Sequence, residues 1–186
     1  MGVIKESFLF PGLFKGDKFF WATAWLFHVS LALIIVGHLR VLTGVFDKMF
    51  ISFGMNQEGI NTMSSVSGGI AGIVIMLAAF ILILRRMSSI RVREISLPSD
   101  YLALIFVLAI LITGNLMRFG AHFDLELTRV YFSGIFSLSA TEATIPQNAM
   151  FLVHFFLVQI LVIYIPFSKI LHFGGIFFTQ TLIQKS

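Results

Sequence analysis

The chain is 186 residues long, the length of a single domain, yet 58% of its residues are hydrophobic, only 12% are charged and 22 are phenylalanine. Soluble domains carry about 25% charged residues, so a mean hydropathy of +0.95 indicates an all-α integral membrane protein. The lack of cysteine excludes disulfides, thiolate-held iron–sulfur clusters and C-x-x-C-H haem attachment, and the net charge of +4 includes no basic tract suited to nucleic acid.

The first 18 residues, with Pro11, Gly12 and Gly16, read as an interfacial lead-in. Lys5, Lys15 and Lys18 then precede an apolar stretch, which raises the question of a signal peptide. At residues 19–43 it is too long for an h-region of about 7–15 residues. No small-residue cleavage site is evident, and His28 and His38 lie inside it, so it reads as a retained transmembrane helix.

Crossing the hydrocarbon core takes about 20 mostly apolar residues. Residues 63–84, 100–119 and 148–173 also qualify, which predicts a four-transmembrane-helix bundle in one membrane domain, residues 1–186. Gly44 and Gly54, then Pro98-Ser99-Asp100, then Gly120, then Pro146 mark the joints. Ser99 or Asp100 is expected to cap the third helix, and Pro166 to kink the fourth. Residues 120–147 form a long connector holding His122, Asp124, Glu126, Arg129 and Glu142, and loops of that length are often functional.

Four helices put both termini and the 85–98 loop on one side. That side holds Lys5, Lys15, Lys18, Arg85, Arg86, Arg91, Arg93, Lys169 and Lys185; the other holds Arg40, Lys48, Arg118 and Arg129. Nine basic residues against four predicts a multi-pass protein of the cell membrane with cytoplasmic termini. Arg85, Arg86, Arg91 and Arg93 serve this topology first, and docking of a partner second.

Ionisable residues within a membrane are costly and mark function by default. His28 and His38 are ten residues apart, about 15 Å of helical rise and about 80° of rotation, so both can face one side of helix 1. His154 and His172 are eighteen apart, five turns, and share a face of helix 4. The two helices run oppositely, so His38 meets the depth of His154 on the outer side, and His28 that of His172 on the inner side. A single buried histidine is more often a packing or proton-relay residue. Four histidines paired by depth and face favour two haems, each held by two imidazoles. Zinc prefers ligands gathered in one tetrahedral cluster.

Arg40 and Arg118 could pair with haem propionates, while His122, Glu126 or Arg118 could serve proton chemistry at the outer end. A solvated loop and snorkelling arginines are the competing reading. Ser67-Gly68-Gly69-Ile70-Ala71-Gly72 permits close approach of a neighbouring helix or of a flat macrocycle. The phenylalanines suit lipid contact, and the methionines are dispersed as packing residues.

Trp25-Leu26-Phe27-His28, Val36-Gly37-His38 and Ile165-Pro166-Phe167-Ser168-Lys169-Ile170-Leu171-His172 resemble the gamma subunit of respiratory nitrate reductase. Leu84-Arg85-Arg86-Met87 with Arg91-Val92-Arg93, and Ser67-Gly68-Gly69, extend the resemblance over residues 19–175. It implies a di-haem cytochrome b exchanging electrons with menaquinol or another quinone, with His38 and His154 on the outer haem and His28 and His172 on the inner one. It further implies a cytoplasmic iron–sulfur partner. Gly114-Asn115-Leu116-Met117-Arg118-Phe119-Gly120 is similar to the branch serving sulfite-reduction-associated complexes, whose partner resembles a heterodisulfide reductase subunit. The nitrate reductase gamma subunit proper is the alternative.

Two departures stand out. That subunit has an additional N-terminal helix, and a quinol-site lysine ahead of its third helix where this chain reads Gln57-Glu58-Gly59-Ile60-Asn61. Outside this family, a haem-free proton translocator or a plain membrane anchor would also suit four apolar spans.

Overall fold

The structure, a computed structural model, describes residues 9–120, 124–138, 146 and 148–168. Its described elements are helical: α1 (Pro11–Gly16), α2 (Lys18–Leu42), α3 (Val45–Ser52), α4 (Gln57–Ser88), α5 (Ile90–Glu94), α6 (Pro98–Phe119), α7 (Leu125–Phe136), α8 (Ala149–Tyr164) and a 3-10 turn (Ile165–Phe167). Four spans are long and apolar enough to cross a membrane, as the hydropathy pattern predicts: Lys18–Leu42, Gln57–Ser88, Pro98–Phe119 and Ala149–Phe167.

Side-chain caps fix where three of the four spans begin. Asp17 accepts the Phe20 N–H at 2.9 Å to start α2, and Asn56 accepts that of Gly59 at 2.8 Å to start α4. Asn148 does the same for Met150 at 2.9 Å at the head of α8. The expected cap of α6 moves: Leu97 is the N-cap and Pro98 the first residue. Asp100 acts from the third helical position, where its carboxylate accepts the Leu97 N–H at 3.0 Å. Proline suits the first turn because its missing N–H has no helical partner there.

Two further differences have clear causes. Helix α4 begins six residues before the apolar stretch does, because Asn56 caps it and its first turn is polar. The α-helical part of the fourth span stops at Tyr164; Pro166 lies in the 3-10 turn, and Ser168 is extended at ψ 162. Pro166 therefore ends the α-helix rather than kinking it, having no N–H to continue the ladder. Residues 169–173 of the expected helix lie outside the described residues.

The spans pack in chain order, α2 on α4, α4 on α6 and α6 on α8, while α2 and α8 make at most marginal contact. Ile75, Ala79 and Leu111 form the centre, with Phe27, Leu31, Ile34, Val107 and Leu108 around them. Large apolar side chains such as Leu33, Leu77, Phe156 and Ile163 are exposed, whereas buried α4 positions include Gly69, Ala71, Gly72, Ala78 and Ala79. This distribution suits lipid, where close backbone approach holds helices together. Asn115 shows how: its Nδ2 donates to the carbonyls of Gly72 (3.0 Å) and Leu111 (2.9 Å). A Cβ at residue 72 would lie 2.6 Å from Asn115 Oδ1, so any larger residue there would displace the Asn115 side chain from these bonds. Gly69 and Gly72 thus serve helix packing, while Gly68 faces open space.

One end of the bundle is tied by Arg86, 3.3 Å from Asp100, and by Tyr164 donating to the Ser99 carbonyl at 2.8 Å. Arg85 lies 3.7 Å over the Phe20 ring there. The opposite end is organised by Arg40.

Candidate functional site

His38 lies in the last third of α2, where its Nδ1 is 2.7 Å from the Ile34 carbonyl. A carbonyl only accepts, so Nδ1 carries the proton and Nε2 has the lone pair. His28, about 15 Å along the same helix, uses the same device, donating from Nδ1 to the Ala24 carbonyl at 2.7 Å. The rings of Phe10 and Phe27 flank it at 5.3 and 5.4 Å.

His154, on α8, is held by another helix. Its Nδ1 lies 2.9 Å from Thr113 Oγ1, and the Thr113 hydroxyl proton is directed to the Ala109 or Ile110 carbonyl at 2.9 and 3.0 Å. With the proton on either carbonyl, the threonine oxygen accepts from Nδ1–H and Nε2 has the lone pair. Beside it Gly114 makes room, since a Cβ at that position would come within 3.3 Å of His154 Cε1.

The His38 and His154 rings face one another across the space between α2 and α8, with planes 15° apart and centroids 6.3 Å apart. Two imidazoles on one metal, each nitrogen about 2 Å from it and a little over 1 Å from its own ring centre, span roughly 6 Å. The separation, the parallel planes and the paired tautomers fit a single haem iron. Gly37 faces open space beside this pair.

Two residues beyond His38, Arg40 forms a buried ion pair with Asp47 through its Nε. Arg40 Nη2 donates to Asn61 Oδ1, and Gln57 Nε2 donates to Asp47 at 3.2 Å. Arg129 reaches in from α7, donating to Asp47 at 2.8 Å, to the Arg40 carbonyl at 2.9 Å and to Glu126 at 2.6 Å. Burial raises the affinity of Asp47 for a proton, but hydrogen bonds from Arg40, Arg129 and Gln57 outweigh it and hold the carboxyl well below the usual carboxylate range. Tyr131 and Phe132 of α7 pack against Phe155 of α8 at 6.4 and 5.5 Å. Helix α7 therefore bridges the two histidine-bearing helices at the Arg40 end.

Of the residues singled out in the sequence, the structure brings together His38 and His154, while Arg40 is committed to Asp47 and Asn61. Glu126 joins through Arg129 and is exposed, while Arg118 is exposed at the end of α6 without a hydrogen bond or ion pair among the described residues. His122 and His172 lie outside the described residues. Asp47, Asn61, Thr113 and Gly114 were not nominated as site residues. Only Asp47 carried a local signal, a carboxylate seven residues after Arg40.

Fold and site together define a polytopic helical membrane protein that holds two imidazoles with near-parallel planes, 6.3 Å apart, between two of its spans. The chain belongs to the nitrate reductase gamma subunit family, whose profile matches residues 12–182. It is 33% identical to the Hdr-like menaquinol oxidoreductase cytochrome b-like subunit of Archaeoglobus fulgidus and 32% identical to that of Archaeoglobus profundus. Each match covers 96% of this chain and 58% of the relative, so the chain spans little more than half the length of these proteins. A weaker match is the nitrate reductase gamma chain of Bacillus subtilis, 26% identical over 79% of this chain and 68% of the relative. No solved structure matches the chain.

Proposed function

We propose that the chain is a di-haem b-type cytochrome subunit of a membrane oxidoreductase complex, moving electrons between menaquinol and a cytoplasmic iron–sulfur partner. The observation that carries the proposal is the His38–His154 pair, parallel at 6.3 Å and with both Nδ1 atoms already donating. Family membership and the menaquinol oxidoreductase names of the two Archaeoglobus relatives support it. Those relatives favour the Hdr-like branch over nitrate respiration.

In this reading His38 and His154 hold the outer haem, and His28 and His172 the inner one. Bound haem supplies reversible one-electron chemistry between the two faces of the membrane. The protein residues hold and orient it. The i−4 carbonyls of Ile34 and Ala24 fix the tautomers of His38 and His28, and Thr113 fixes that of His154. Arg118 is the candidate for a haem propionate, as is Arg40 if it exchanges its Asp47 partner for one, and His122, Arg118 and Glu126 are the quinol-site candidates. Quinol protons accepted on that face leave outside while electrons move inward, which makes the reaction electrogenic, worth about 2.3 kcal/mol per charge per 100 mV.

The first test is a reduced-minus-oxidised absorbance spectrum of the purified chain with haem quantified per chain. Two b-type haems, reducible by a menaquinol analogue, are expected. A chain without haem bands would be an anchor or a translocator instead. Orientation has its own test, the labelling of single cysteines at Ser7, Ser89 and Ser139 in intact cells. Ser7→Cys and Ser89→Cys should be protected and Ser139→Cys should react; the reverse pattern inverts the proposed topology.

A further inference from the structure

We propose that Thr113 is a positioning residue that sets the ring plane of His154, and hence the parallel arrangement of the two imidazoles at the outer site. The proposal rests on the reading of His38 and His154 as axial ligands. His38 takes its acceptor from its own helix, so its tautomer follows wherever the α2 backbone goes. His154 takes its acceptors from α6, across a helix–helix contact, through the Thr113 hydroxyl with the Ile110 carbonyl beside it.

The ordinary role of a threonine within a helix is to donate back to a carbonyl one turn earlier, with no consequence beyond local satisfaction. Thr113 does this, to Ala109 or Ile110. With its proton directed to one of those carbonyls, its oxygen presents lone pairs to its neighbour and accepts from His154 Nδ1–H. Thr113 is 9% exposed, which excludes water as an easy substitute. Gly114 removes the side chain that would otherwise push the imidazole away. The Ile110 carbonyl also interacts with His154. It is the acceptor the ring would turn toward without the hydroxyl, and that turn would rotate the imidazole plane away from that of His38.

A neutral acceptor holds the Nδ1 proton without drawing it off the ring, so His154 remains a neutral imidazole ligand. The relative orientation of two axial imidazole planes governs the anisotropy of a low-spin ferric haem, and its largest g value reports that angle directly. Packing alone would not move this signal in step with the hydroxyl.

The experiment compares Thr113→Val and Thr113→Ser in the purified full chain by electron paramagnetic resonance of the oxidised protein. Thr113→Val keeps the shape and deletes the acceptor, while Thr113→Ser keeps the acceptor and deletes the methyl group. The expected result is that the largest g value of the outer component moves in the valine variant and returns to the wild-type position in the serine variant. Loss of the outer component in valine alone supports the same role. A valine spectrum superimposable on wild type, or a serine variant displaced as far as valine, overturns it. Wild-type protein without haem, or His154→Ala retaining the outer component, is a different failure, that of the ligand assignment itself.

Discussion

Asp47→Ala is expected to destabilise the folded chain by about 3 kcal/mol, the lower end of what removing one partner of a buried pair costs. The carboxylate is 8% exposed, and its partners Arg40 and Arg129 are 11% and 16% exposed. Deleting it leaves two guanidinium groups close together without their shared counter-charge. It also releases Gln57 and one anchor of α7, the helix that bridges α2 and α8. The check is denaturant unfolding in detergent of wild type, Asp47→Ala and the double variant Arg40→Met/Asp47→Leu. The double variant should be less destabilised than the single one, because it removes the stranded charge along with the pair. Equal stability of wild type and Asp47→Ala would mean that the network contributes nothing.

The same residue gives the network a pH dependence of known sign. The folded carboxyl binds its proton less readily than the unfolded one, whose pKa is about 3.9. Its contribution is therefore full above that value and is lost as pH falls through the lower folded value. Wild type should lose stability on acidification below about pH 4 more steeply than the Arg40→Met/Asp47→Leu variant, which lacks the group.

How far this architecture could be read in advance depended on the range of the interaction involved. Apolar length alone revealed the four spans, because lipid demands about 20 such residues whatever they pack against. Helix ends were less legible, since hydrophobicity marks the membrane and not the helix. Gln57 to Asn61 are helical but polar, and Asn56 starts α4 well before the apolar stretch does. The depth match of His38 with His154 followed from antiparallel direction and helical rise. Thr113, forty-one residues from His154, had no such rule to reveal it. Arg129 and Asp47 are separated by 82 positions, and only the return of α7 over α2 brings them together. Residues 125–136 read as connector because their charges drew attention. Yet Asp124 caps that segment, accepting the Leu127 N–H at 2.9 Å, and its Tyr131 and Phe132 supply an apolar anchor to α8.

His38→Ala and His154→Ala are each expected to abolish the same haem component and to lower total haem by about half, since a bis-histidine site has only these two protein ligands. The rings lie parallel and 6.3 Å apart, so under the proposed ligation either substitution would leave an iron with one axial partner. His28→Ala should remove the other component, because His28 lies about 15 Å away on α2, too far to serve the same iron. His172→Ala should match His28→Ala if the antiparallel argument extends to the inner pair. Haem quantified as the pyridine complex gives the stoichiometry, and redox titration separates the components by potential. A double variant of His38 and His154 should look like either single variant, whereas His28→Ala with His38→Ala should remove both haems. Non-additivity within a pair and additivity between pairs is the signature of two sites. If His28→Ala and His38→Ala instead bleach one component, the ligands of a haem lie along one helix and the pairing across the bundle is wrong.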